Sequence, residues 1–343
     1  MTGDCLRRHE AAANCEKKGQ VQRIMDSQIL QRIKNCKTLP AIPALPLQVL
    51  QLCRDERTSA KKIGDVISKD PSFVAKLLNV ANSSFYGGSR HKVTTVTHAV
   101  TLLGMNSIAT LAFCFSLYRD LRKKGGGAFD HTHFWHRSIL ASLAAKLLAK
   151  RVRVTNEEEI FLAGLLQDLG VLVMSEALGT EYGLLYKKAA QDHQTLEALE
   201  QGRWKTDHCE IGAWLAETWE LPELLRETVK GSHDPSLASS SDEVSRLTIQ
   251  CVALSGRLAD MWCHRQPETA IQSAIQLSKE LLDLEPDGVV EVAKQIAEGI
   301  PDMSSFFQIS LGKPAEIQKV LDLLEQVVTG ISQPEIPEPV PAS

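Results

Sequence analysis

The side chains best suited to chemistry in this chain are histidines and carboxylates set among apolar helical stretches. In "HTHFWH", His133 and His136 stand three residues apart and share one helical face, so two imidazoles could meet one metal ion. No carboxylate follows at matching spacing, and the simpler reading starts a helix at Asp130 or Thr132 with Trp135 in the core. The stretch "AGLLQDLG" sets Gln167 and Asp168 in apolar surroundings. A polar pair buried there must find hydrogen-bond partners. At "DHCEIG", Asp207 can cap a helix whose first residue is His208, which this reading leaves in solvent. Two other motifs lead nowhere. "LLGMNSIATL" has the outline of a helix-turn-helix, but no Arg or Lys occurs from Val93 to Tyr118 to meet a groove. "RKKGGG" lacks the strand-to-helix setting of a phosphate loop.

Helices must position these residues, because nearly every periodic segment repeats at helical spacing. "VQRIMDSQILQRIKNCK" forms one apolar stripe, and "LPAIPALP" holds the following chain extended. In "SKDPSFVAKLLNVANSSFYGG", Asp70 caps a helix with Pro71 in its first turn. Two helices meet near Gly104, and the three glycines of "RKKGGGAFD" mark a seam before helical periodicity restarts. Further helices are expected around 157–178, 181–191, 207–218, 222–230, 241–263, 269–283, 287–299 and 314–328. "VTTVT" and "RVRV" have strand composition but no partner and are read as connectors. The expected class is all-α.

Composition narrows the role. A net charge of −4 gives no general affinity for nucleic acid. The eight cysteines form no C-x-x-C pair and sit mostly in apolar helical patterns, which argues against a disulfide framework or zinc knuckle. The first 19 residues lack the apolar core of a signal peptide, and "IATLAFCFSL" is too short to span a bilayer. A soluble, reduced, cytoplasmic chain is expected, with no membrane and no nucleic acid among its partners.

Two separated regions then agree. "LPAIPALPLQVLQL", "DPSFVAKLLNVANSSFYG" and "VTTVTHAVTLLGMNSIATL" occupy the first half. "HFWHRSILASLAAKLLA", "EEIFLAGLLQDLG" and "DHCEIGAWLAETWELPELLRETVKGSHDP" follow. Their order and spacing resemble the HDOD family, the HD-related output domains of bacterial signalling proteins. The resemblance implies a multi-helix fold with a family-specific helical lobe (39–122), a glycine linker (123–129) and a lobe derived from HD phosphohydrolases (130–235). Around this domain lie an extension (1–20), a helix (21–38), a helical continuation (236–330) and a Pro-rich tail (331–343).

The resemblance also assigns positions. Catalytic HD enzymes use imidazoles and carboxylates to hold divalent metals that polarise a phosphoryl oxygen and activate water. By this alignment the early His is His136, the His-Asp pair is Gln167-Asp168, the later histidines are His208 and His233, and the distal Asp is Gly256. Gln is a weak neutral ligand and Gly is none. Asp260, one turn beyond Gly256, is a poor geometric substitute. The site reads as vestigial: no cofactor and no metal are expected, with Asp168, His208 and His233 as weak remaining candidates. Restoring Gln167→His with Gly256→Asp should then raise metal affinity.

The expectation is a non-catalytic regulatory module that binds other signalling proteins through the lobe around Phe85, Tyr86 and Gly87. The alternatives are a metal-dependent phosphohydrolase or cyclic-dinucleotide phosphodiesterase with fewer ligands, and a sensor whose old pocket binds a nucleotide second messenger.

Overall fold

A computed structural model describes residues 27–36, 39, 48, 49, 52, 57–83, 85, 86, 92–122, 129–189, 192–239 and 242–332. Gly87, the expected N-terminal extension, most of the glycine seam and the end of the Pro-rich tail lie outside the described residues. All regular structure among the described residues is helical, and neither "VTTVT" nor "RVRV" forms a strand: the first runs into a helix at Val96 and the second follows the end of one at Arg151.

Helix α1 (Ser27–Lys34) precedes a first lobe of α2 (Ala60–Ile67), α3 (Pro71–Ala81), α4 (Val96–Leu103) and α5 (Met105–Leu121). Asp70 caps α3 by accepting from the Phe73 amide, as its sequence predicts. α4 and α5 meet at a bend of 112°. Gly104 makes that corner with φ +84°, a conformation that L side chains rarely adopt.

The second lobe is built around α6 (His131–Arg151), which is buried on nearly every face and packs against α7 (Glu157–Leu166) and α13 (Glu243–Cys263). Between those two come α8 (Leu169–Leu178), α9 (Thr180–Lys188), α10 (His193–Trp204), α11 (His208–Thr218) and α12 (Glu223–Lys230). The expected helix 157–178 is broken at Gln167-Asp168, and α10 falls in a segment where no helix was expected. Its sequence offers only Leu196, Leu199 and Trp204 as an apolar pattern, too sparse to stand out. The stretch Glu157–Leu178 is long and apolar enough to cross a bilayer, but 83% of its apolar window is buried inside the fold.

Three helices close the chain: α14 (Pro267–Leu282), α15 (Pro286–Phe307) and α16 (Pro314–Ser332). α15 runs past the expected end at 299 because Pro301 is tolerated within it. Val289, Val292, Ile296, Ile300, Met303, Phe306 and Phe307 are all at most 2% exposed. α15 lies along α6 and reaches the first lobe at α3. Gly299 permits the approach, since a β-carbon there would lie 3.0 Å from Leu143 Cδ2. Lys76 of α3 donates to the Phe306 carbonyl at 2.5 Å.

Seven such side chains at roughly 1.5–3 kcal/mol each are comparable to or larger than the ~5–15 kcal/mol that holds a domain folded. Deleting residues 266–330 should therefore give an aggregating or molten product, whereas deleting 331–343 should leave unfolding cooperative. Near-ultraviolet circular dichroism through a urea titration checks this. A sharp transition in the longer truncation would remove the docking role of α15.

Candidate metal centre

The break between α7 and α8 sets the position of Asp168. It stands at the start of α8 without capping it, which leaves the carboxylate free to face inward. A glycine contact then brings in α11: a β-carbon on Gly170 would lie 1.8 Å from the His208 carbonyl oxygen and 2.7 Å from the Gly212 nitrogen. Only a bare α-carbon permits that crossing, and the crossing carries His208 to Asp168. His208 and His193 each open a helix, capped by Asp207 and Asp192, and His233 lies in the turn after α12.

These elements converge on one point. Asp168 Oδ1 lies 3.7 Å from His193 Nδ1, 3.9 Å from His208 Nε2 and 3.5 Å from His233 Nε2. Each residue offers one ligand atom, and all four atoms lie within 4.8 Å of one another. Donors about 2.0–2.2 Å from a tetrahedral ion stand roughly 3.4 Å apart, so the set matches a zinc-class centre. Asp168 Oδ1 and His193 Nδ1 are buried and make no hydrogen bond among the described residues. Orphaned atoms of this kind call for a partner.

Glu200 supports the set from behind. Its Oε2 accepts from the His208 amide at 2.9 Å and faces His208 Nδ1 at 2.6 Å, and its Oε1 accepts from the Tyr182 hydroxyl at 2.6 Å. A carboxylate on the far ring nitrogen fixes the imidazole and raises its basicity.

The protonation of the group reflects these contacts. Burial would lower the His208 pKa, but Glu200 outweighs it and holds the imidazole well above its ordinary value. For His233, burial is outweighed by Cys209 and Asp168, giving about 9. The two Nε2 atoms lie 2.8 Å apart. His193 goes the other way: burial, then Arg137, keeps it neutral. Burial would raise Asp168, but Arg137, His193 and His233 hold it well below the usual carboxylate range.

Arg137 occupies the other half of the centre. Its Nη1 donates to Asp168 Oδ2, its Nε to Asp260 Oδ1 at 2.6 Å and its Nη2 to Asp260 Oδ2 at 3.3 Å. The side chain is 1% exposed. A β-carbon at Gly256 would lie 2.8 Å from Arg137 Nη2 and 2.8 Å from Gln167 Oε1. The guanidinium therefore stands in the space that a side chain at 256 would enter, and it supplies the positive charge there. Gln167 turns its amide nitrogen to the Gly164 carbonyl at 2.9 Å.

The sequence-derived positions separate accordingly. Asp168, His208 and His233 come together, and His208 is fully buried rather than solvated. Gln167 and Gly256 line the guanidinium. His136 leaves the centre and donates from Nε2 to the Leu311 carbonyl at 2.9 Å, pinning the α15–α16 connection. His133 is likewise taken up, facing the Tyr186 hydroxyl and the Cys263 carbonyl. Asp260, discounted as a ligand, is the second anchor of Arg137. His193, Glu200 and Arg137 went unnoticed in the sequence; the Asp192 cap ahead of His193 was the signal that could have exposed the first. The double change Gln167→His with Gly256→Asp cannot simply rebuild the site, because Arg137 fills the space.

Phe85 and Tyr86 are half-buried. Lys146 lies 5.0 Å from the Phe85 ring centre and 3.9 Å from that of Tyr86, and the Phe85 amide donates to Asp302 of α15. The pair thus joins the first lobe to α6 and α15 and remains partly exposed at a cleft between them.

The helical fold and the His/Asp cluster are carried by a chain of recognisable family. The chain belongs to the HDOD domain family, whose model matches residues 39–235. An HDOD domain protein of unknown function from Geobacter sulfurreducens is similar over 85% of this chain and 96% of its own, with TM-score 0.65 and 20% identity. A Shewanella amazonensis SB2B protein, described as a candidate phosphohydrolase, matches 84% of this chain and all of its own at TM-score 0.62 and 23% identity. An uncharacterized protein of Treponema pallidum (strain Nichols) is 26% identical over 210 residues, 60% of this chain, and the match spans only 39% of that protein's length.

Proposed function

We propose that this chain is a regulatory signalling module that does not hydrolyse phosphate esters, its HD centre converted into a closed structural site. The carrying observation is Arg137, clamped between Asp168 and Asp260 in the place of a second cation. A guanidinium cannot activate water or accept a phosphoryl oxygen as a ligand. Asp168, His193, His208 and His233 would hold one metal ion, and that ion would supply a crosslink between α8, α10, α11 and the turn after α12. Four protein donors saturate a tetrahedral ion, whereas a catalytic ion keeps an open position. Three of the four are buried residues, which further supports a structural role.

The competing reading, a hydrolase working with one metal, draws on the same four donors. The two are separated by incubating the protein with manganese, nickel or zinc and bis(p-nitrophenyl) phosphate or cyclic dinucleotides. We expect no turnover above the protein-free rate. Turnover that disappears in Asp168→Ala would establish the hydrolase instead. Signalling output then passes through contacts with other proteins, in keeping with the family background.

A further inference from the structure

A second polar site lies beside the metal centre. A cleft of about 550 Å³ opens between the end of α9, the start of α10, the second half of α13 and the start of α14. That volume suits a small molecule. Arg257 lines it, and its side chain is 10% exposed. The nearest carboxylate oxygen, Asp260 Oδ2, is 3.9 Å away and already accepts from Arg137. The Arg257 guanidinium makes no hydrogen bond among the described residues.

The other acid on the wall is equally committed. Asp192 accepts from the amides of Gln194 and Thr195 and from the Thr195 hydroxyl. Glu197 also acts on Arg257 through space. Burial, then the charge of Arg137, opposes the charge on Arg257. The Arg257 donors face the cleft without a hydrogen-bond acceptor among the described residues, so they are available to an anion that enters it. Lys188 and Arg265, both exposed, stand at the same cleft and bring two more positive charges. His264 contributes no free acceptor on its Nδ1, which takes the Gln266 amide.

We propose that this cleft binds a phosphorylated small molecule of about nucleotide size, with Arg257 forked onto the phosphate and Lys188 and Arg265 at the rim. The planar guanidinium matches phosphate oxygens two at a time. Three cations favour a multiply charged anion over a single carboxylate. Gln194, Thr195, Gln266, Thr269 and Ser273 offer hydrogen-bonding groups for a polar body beyond the phosphate. The lining carries no Phe, Tyr or Trp, so recognition runs mainly through charge and hydrogen bonds. This inference rests on the reading above, in which the chain does not hydrolyse phosphate esters. Asp260 belongs both to the cleft wall and to the Arg137 clamp, which gives a bound anion a direct route to the metal centre.

Isothermal titration of the full chain with AMP, inorganic phosphate and adenosine tests it. AMP should bind, phosphate should bind more weakly and compete with it, and adenosine should give no heat. Arg257→Gln should weaken AMP roughly tenfold or more. Because that residue is buried, Lys188→Ala/Arg265→Ala is the second variant; both side chains are exposed, and a several-fold loss is expected with unfolding unchanged. No heat from AMP and phosphate with the wild type, or equal affinity in wild type and both variants, overturns the site. Conversion of AMP to adenosine during the titration would overturn the non-hydrolytic reading while leaving the binding site standing.

Discussion

Replacing Arg137 with methionine should destabilise the protein by about 3–5 kcal/mol, because it strands two carboxylates in the interior. Asp168 and Asp260 would each lose their main donor, and Asp168 is 1% exposed. Against a total of roughly 5–15 kcal/mol, much of the fold's margin would go. The pH dependence should also change. In the wild type, Asp168 is held below its ordinary pKa, so its contribution is present above pH ~4 and fades as pH falls through the lower folded value. Without the guanidinium, burial of Asp168 loses its main counterweight and its carboxyl rises, so the variant should close part of its deficit on acidification from pH 7 to about 5. Arg137→Lys should recover less than half of the loss, because one ammonium cannot fork onto both acids. Urea titrations at the two pH values measure all of this. A deficit under 1 kcal/mol for the methionine variant would show that Arg137 does not compensate the pair.

The second large effect concerns metal. Protein stripped by chelation should take up one zinc-class ion per chain, and at a thousandfold excess over Kd the ion should add about 4 kcal/mol of stability. His193→Ala and Asp168→Ala should each abolish the tight uptake. Protons compete with the ion: His233, lifted to about 9, must release its proton to bind. Affinity should therefore rise with pH by roughly tenfold per unit for each proton displaced, from pH 6 to 8. Elemental analysis after gel filtration, with calorimetric melts at several pH values, reads both effects. Protein that emerges metal-free from an equimolar zinc solution would leave the four donors as an ordinary buried hydrogen-bonded cluster. This expectation reverses the one drawn from the sequence, where Gln167 and Gly256 marked the site as vestigial and left Asp168, His208 and His233 as weak candidates.

That reversal shows where sequence reading stopped. Caps and corners were legible because they are local: Asp70, Asp207 and Gly104 act on their own neighbours through one or two backbone groups. The apolar stripe of α15 was legible over Val289, Val292, Ala293, Ile296 and Ile300, which repeat at helical spacing, whereas its continuation through Phe307 was not. Long-range replacement was not. Aligning family positions asks what stands where each ligand used to be, and so it found Gln167 and Gly256. It could not see that Arg137, adjacent in sequence to the former ligand His136, points to the opposite task. It also passed over His193 because α10 carries little apolar signal. Nor could His136 declare its new partner, since the Leu311 carbonyl lies 175 residues away.

The bare α-carbon at 256 has a bearing on descent. A carboxylate there needs room that Arg137 and Gln167 now occupy. An imidazole at 167 would face a fixed cation. Losing Arg137 first strands Asp168 and Asp260. Each single step toward a two-metal centre thus begins with a fall in stability, and only a concerted set of changes avoids it. The residues act together as a ratchet: a lineage at this point can diversify its surfaces and clefts, but no single step takes it to a two-metal centre.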